Sequence, residues 1–228
     1  MKKSLSLSIA ALTLVITMAI CPLASQATEP GEVSAAVKVG TLGLGVDLDI
    51  GINDYLHARV GLGAMRWSYG VTIDEMKYDF AMGLYTLGLF MDWHPGGSGF
   101  RLTGGVIINS HDINARTTPK PDKLYTIGEQ SYLGATLGEM QADANFNQFA
   151  PYIGFGYGAD FDQAGHWSFH LDVGVMWWGS PAVGLSAANA ALVPGLQEQL
   201  DIEAKKIEDD LSMLQFYPVF SVGVAYRF

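Results

Sequence analysis

Apolar and polar residues alternate with a period of two along most of this chain, the signature of strands with two unlike faces. In the last stretch, Leu214, Phe216, Pro218, Phe220, Val222, Val224, Tyr226 and Phe228 share one face. Gln215, Tyr217, Val219, Ser221, Gly223, Ala225 and Arg227 share the other. Over residues 41–52, Leu42, Leu44, Val46, Leu48, Ile50 and Ile52 oppose Gly43, Gly45, Asp47, Asp49 and Gly51. From Leu56, the series Ala58, Val60, Leu62, Ala64 opposes His57, Arg59, Gly61, Gly63. A less regular strand over 77–93 turns Leu87, Leu89, Met91 and Trp93 outward and makes Asp92 a candidate inward residue. Over 100–108, Leu102, Val106 and Ile108 oppose Arg101 and Thr103, with Asn109 next on the inner face. Over 151–161, Ile153, Phe155, Tyr157, Ala159 and Phe161 oppose Gly154, Gly156, Gly158, Asp160 and Asp162. Over 167–177, Trp167, Phe169, Leu171, Val173, Val175 and Trp177 oppose Ser168, His170, Asp172 and Gly174.

Seven strands are clear in this pattern. Residues 32–38 supply the best eighth, at the start, although its connection to Thr41 is very short. Eight strands are expected, with ten as the alternative if another lies within 111–148. Short turns fall at Asn53-Asp54, 95–99 and 163–165; long connections fall at 69–76, 111–148 and 180–213. Within the second long connection, 124–127 and 131–133 flank Gly128-Glu129-Gln130 as a small hairpin. In the last, 194–214 has helical spacing, with Leu196, Leu200, Ile207, Leu211 and Leu214 on one face and mostly acidic residues on the other. That acidic face is a candidate for divalent cations bridging lipopolysaccharide phosphates.

A soluble sandwich also alternates, but its outer face carries charge and its inner face the apolar side chains. Here the polar face is mostly glycine with a few charges, and the other is uniformly apolar with aromatics near the strand ends. That pattern predicts an all-β fold, a closed antiparallel transmembrane β-barrel with a short helix in the last long loop. Short turns are periplasmic in such barrels and long loops extracellular.

The start of the chain agrees. Lys2-Lys3, an apolar run over 5–20 and small residues before a cut after Ala27 read as a cleaved secretory signal, 1–27, leaving a barrel domain over 28–228. Ile20 is too bulky before Cys21 for a lipoprotein site. Removing Lys2 and Lys3 takes the formal charge from −10 to −12, which disfavours nucleic acid. The mean hydropathy of +0.20 is high, yet no stretch beyond the signal is long enough for a spanning helix, so closed strands must carry the membrane character.

The inward faces collect Asp47, Asp49, His57, Arg59, Arg101, Asp160, Asp162, His170, Asp172 and Arg227, mostly near periplasmic turns. An eight-stranded barrel is just wide enough inside for side chains to fill. These charges therefore form either a structural plug of ion pairs or the lining of a narrow gated path. His166 and His170 stand about 13 Å apart along a strand, too far to share a metal. No catalytic, metal or cofactor set emerges, so no cofactor and no enzyme is expected; a lipid A-modifying activity is the weakest of the three functional readings.

Lys38-Val39-Gly40-Thr41-Leu42-Gly43-Leu44-Gly45, Asp92-Trp93-His94-Pro95, Ala150-Pro151-Tyr152-Ile153-Gly154, Gly179-Ser180-Pro181 and Tyr217-Pro218-Val219 carry a further signal. Over most of the mature chain the sequence resembles the small Gram-negative outer-membrane barrels, OmpA-like and OmpW-like. The resemblance implies outer-membrane lipid and lipopolysaccharide as surroundings, and periplasmic chaperones and the barrel-assembly machinery as partners, with Phe228 as the assembly signal. It implies no functional residue set.

Overall fold

The computed structural model describes residues 30–73, 76–162 and 164–228. The expected signal segment 1–27 lies outside the described residues, as does Gln163 of the third short turn. Twelve strands run β1 (Val33–Gly40), β2 (Gly43–Asn53), β3 (Leu56–Ile73), β4 (Met76–Trp93), β5 (Phe100–Thr117), β6 (Leu124–Ile127), β7 (Gln130–Leu133), β8 (Met140–Asn145), β9 (Phe149–Asp160), β10 (Trp167–Trp177), β11 (Ala182–Ala187) and β12 (Phe216–Arg227). Among the described residues there are also two α-helices, α1 (Gly134–Leu137) and α2 (Leu196–Asp210), and short 3-10 turns at Pro95–Gly97 and Leu211–Gln215.

Eight of these strands close the barrel: β1–β2–β3–β4–β5–β9–β10–β12, with β12 returning antiparallel to β1. Among the described residues no helix is long and apolar enough to cross a membrane. The expected first strand is real. Its connection to β2 is only Thr41 and Leu42, because Gly43 takes a left-handed φ of 92° that a side chain would resist. The turn pulls Leu42 off the lipid face and against the buried cluster in the lumen, contrary to its expected outward parity. Leu214 also leaves its expected strand position, since a 3-10 turn over Leu211–Gln215 precedes β12.

Outward residues match the alternation: Leu44, Val46, Leu48, Val60, Leu62, Leu89, Ile153, Phe155 and Phe169 are all exposed on the wall. Trp167 and Trp177 sit ten residues apart on β10, both outward. At about 3.3 Å per residue and a ~40° tilt they stand ~25 Å apart in height, the thickness of an apolar outer-membrane band.

The wall does not end where the sequence suggested. Residues 69–73, Met76 and the first part of 111–148 are strand, not loop: β3 and β4 pair up to Ile73 and Met76, and β5 continues to Thr117. Ala64 pairs with Tyr85 near the upper girdle, so nine residues of β3, about 30 Å of strand, rise beyond it. β8 pairs with upper β5, and β11 with β8, widening this extension without entering the barrel. The expected small hairpin is β6–β7. Helix α2 starts at Leu196 rather than 194, after Gly195 in the left-handed region. Its Leu196 and Leu200 pack with Ile127, Leu137 and Ala187 into a second core above the barrel.

Candidate functional site

The barrel lumen holds two storeys. The lower one is charged. Arg59 of β3 donates from Nε to Asp92 of β4 at 2.6 Å, from Nη2 to the other Asp92 oxygen at 3.1 Å, and from Nη1 to Asp47 of β2 at 3.1 Å. Its Nη2 also lies 3.8 Å from Asp172 of β10. Arg101 of β5 donates to Asp172 at 2.7 Å, and Lys38 of β1 to Asp47 at 2.7 Å. Thr103 and Ser221 donate to Asp92 and Asp172. Three cations thus meet three carboxylates, and Arg59, Arg101, Asp47, Asp92 and Asp172 are all buried. The bidentate Arg59–Asp92 pair, with the Thr103 hydroxyl also on Asp92, is what makes that buried charge tolerable, while Arg101 Nε is buried without a hydrogen-bond partner.

The upper storey is apolar. Phe90, Ile107, Tyr152, Met176, Trp178 and Val219 pack across the lumen, with Leu42, Phe146 and Tyr217 against them. The Arg59 guanidinium lies 4.7 Å from the Phe90 ring centroid, joining the storeys. The inward glycines make space that these side chains then occupy. A Cβ on Gly156 would lie 2.6 Å from Asp172 Oδ1 and 2.8 Å from Arg101 Nε; at Gly154 or Gly174 it would collide with the Tyr152 hydroxyl. The lumen cavities at these two levels measure about 20 and about 30 Å³, each the scale of a single water.

The residues singled out from the sequence fall into three places. Asp47, Arg59, Arg101, His170 and Asp172 meet in the network, joined by Asp92. Asp49 pairs with His57 Nδ1 at 3.0 Å beside it. The His57 ring lies against that of His94 in the periplasmic turn, tilted by 34° with 4.3 Å between centroids. Burial holds His94 below its ordinary imidazole value, and its Nδ1 donates to the Ser98 carbonyl at 3.1 Å. Arg227 and Asp160 lie lower, 3.5 Å apart, with Glu32 3.8 Å from Arg227. Asp162 is not a lumen residue. The strand ends at Asp160, and Asp162 turns back to accept the Trp167 and His166 backbone N–H groups at 2.8 and 3.3 Å. Those bonds, the Trp167 one above all, hold its carboxyl below the usual range.

Lys38 and the apolar storey were not singled out beforehand. Inward parity on the first strand would have found Lys38, and the same count finds Phe90, Ile107, Tyr152 and Met176.

One pair has the look of catalytic chemistry. Ser168 Oγ lies 2.7 Å from His170 Nε2. Arg101 Nη1 donates to His170 Nδ1 at 2.9 Å, so the ring proton sits on Nε2 and points at the serine. A histidine in that state donates to Ser168 and takes no proton from it. Among the described residues, no cluster of three or more His, Cys, Asp or Glu is arranged to hold a metal. The acid face of α2 is partly spent inside the protein: Glu203 and Glu208 accept the Gly128 and Val183 backbone N–H groups at 3.1 and 2.8 Å.

No protein-family model matches the chain, and no curated protein sequence matches it. Solved structures do. CarO2 of Acinetobacter baumannii is similar with a TM-score of 0.61 and 25% identity, over 88% of this chain and 100% of that one. CarO of the same organism gives 0.58 and 25%, over 86% and 98%. A major outer membrane protein from Thermus thermophilus overlays more loosely, at 0.43 and 12%, over 86% and 98%. The two CarO proteins are outer-membrane barrels. With its lipid-facing apolar wall, its paired girdles and eight strands closed antiparallel, this chain is an outer-membrane β-barrel protein.

Proposed function

We propose that the protein is a structural and surface-interaction barrel whose lumen does not conduct. One observation carries the reading: at the level of Arg59 the cross-section is spanned by ion pairs from β1, β2, β3, β4, β5 and β10, and the space left beside them is about 20 Å³. Opening a path means separating buried ion pairs, among them the bidentate Arg59–Asp92 pair, and stripping a buried charge of its partner costs about 3–5 kcal/mol. Planar-bilayer recording tests it. Silence from protein shown to be folded is expected; steady unitary conductance overturns the plug and favours a narrow solute channel. The Ser168–His170–Arg101 arrangement supports a non-catalytic role, and lipid A mass spectra with and without the protein should coincide.

The extracellular extension is the surface that meets lipopolysaccharide and other partners, in a protein exported through a cleaved signal at 1–27. Phe228 acts as an address for periplasmic chaperones and the assembly machinery. Phe228→Ala should lower the outer-membrane level of the protein without changing the stability of barrel refolded in vitro; unchanged levels sink that role.

A further inference from the structure

Above the bilayer the inner face of the wall changes character. Trp67 and Tyr69 of β3 and Phe80 of β4 keep the inward parity of Arg59 and Phe90, yet they are 61%, 53% and 45% exposed. Trp67 and Tyr69 stack with centroids 5.9 Å apart at 21°, and Tyr69 pairs across the strands with Phe80. The three rings make one aromatic floor. Opposite stand Ile207 and Leu211 from α2 and the turn after it, and the space between is about 550 Å³.

We propose that this cleft is a binding site for a small, flat, apolar molecule without net negative charge, taken up from water. Its volume lies in the range of small-molecule pockets and its walls are almost wholly apolar. Aromatic rings on one side and branched aliphatics on the other suit a planar body, which stacks on rings better than a flexible chain does. The roof is fixed. Gln199 accepts the Glu129 N–H at 2.7 Å, Lys206 donates to the Gly128 carbonyl at 2.7 Å, and Glu208 accepts the Val183 N–H. The slot is therefore formed before any ligand arrives, which lowers the cost of binding. Its height argues against a lipid chain from the bilayer, because Phe80 lies five residues, about 16 Å of strand, beyond girdle residue Tyr85. Charge sets the sign. With Lys2 and Lys3 removed the chain carries −12, and Asp143 lies at the cleft edge, so anions are repelled.

The test is equilibrium dialysis of 2-naphthol against the full barrel in lipid nanodiscs, with empty discs as the blank. Saturable uptake of one molecule per chain is expected. Trp67→Ala and Ile207→Lys, which alter opposite walls, should each weaken it at least tenfold, while Trp167→Ala on the membrane girdle leaves it unchanged. Retained resistance to unfolding in cold detergent checks that each variant is folded. Uptake no greater than empty discs, or equal in all variants, overturns the proposal. So does displacement by lysophosphatidylcholine at concentrations where a soluble planar competitor, 2-naphthylamine, has no effect, because the cleft is then an acyl-chain site.

Discussion

The same strands carry opposite polarity at two heights. At membrane level β3 turns Val60 and Leu62 outward and Arg59 inward; in the extension it turns Arg66 and Ser68 outward and Trp67 and Tyr69 inward. β4 and β5 switch with it, from Leu89 and Val106 outside to Asp79, Asn114 and Arg116 outside. Nothing in the backbone changes, since the pairing is continuous from Leu56 to Ile73. The solvent changes. Hydrocarbon outside the lower wall demands apolar side chains there and leaves the lumen for charge; water outside the upper wall reverses the demand. The level of the switch, just above Ala64 and Tyr85, is thus a reading of the bilayer surface.

The comparison breaks most sharply at Arg59. Arg59→Ala leaves the buried Asp92 with no cation bonded to it, only the Thr103 hydroxyl, while Asp47 keeps Lys38, and should cost about 3–5 kcal/mol in urea unfolding from vesicles. Arg66→Ala, on the outer face of the extension, should stay within about 0.5 kcal/mol. Equal losses would mean the lower network is ordinary surface. Leu200→Ala empties part of the upper core and should cost about 2–5 kcal/mol of local stability. Hydrogen exchange should show it in β6, β7 and α2 and leave the barrel strands protected; exchange rising throughout would make the two regions one cooperative unit. Gly156→Ala, which crowds Asp172 and Arg101, should cost about 1–3 kcal/mol by overpacking. The smallest effect is a pH slope from His94. Its folded pKa is depressed by burial, so the unfolded chain binds the proton more readily. Stability is then complete above the ordinary value of ~6.5 and declines as pH falls below it. His94→Gln should flatten that decline, and an unaltered slope would assign it to other groups.

Barrel, strand number and outward faces were readable because lipid punishes every polar outward residue, leaving a clean alternation from Leu44 to Ile52 or from Ile153 to Phe161. The extension was not readable. Around Arg66-Trp67-Ser68-Tyr69 the alternation persists with its sign reversed, so a rule tuned to lipid reads a loop. Asp162 was placed inside by carrying the parity of Asp160 two residues too far, past the point where the turn recruits its carboxyl. The charged half of the lumen was visible in part, while its apolar half hid behind the expectation that a barrel interior is polar. The acid face of α2 looked free because sequence does not show that Glu203 and Glu208 cap backbone groups of neighbouring segments.

The ion network also has an order of construction. Lys38–Asp47 and Arg59–Asp92 join neighbouring strands, but Arg101 reaches Asp172 across 71 residues. Until β10 comes round, the partial wall holds three cations and only two of their carboxylates. Such long-range closure is slow by topology, and an unbalanced sheet is a poor resident of hydrocarbon. The lumen charges therefore come into balance only when the circle is complete, with three cations and three carboxylates at its centre.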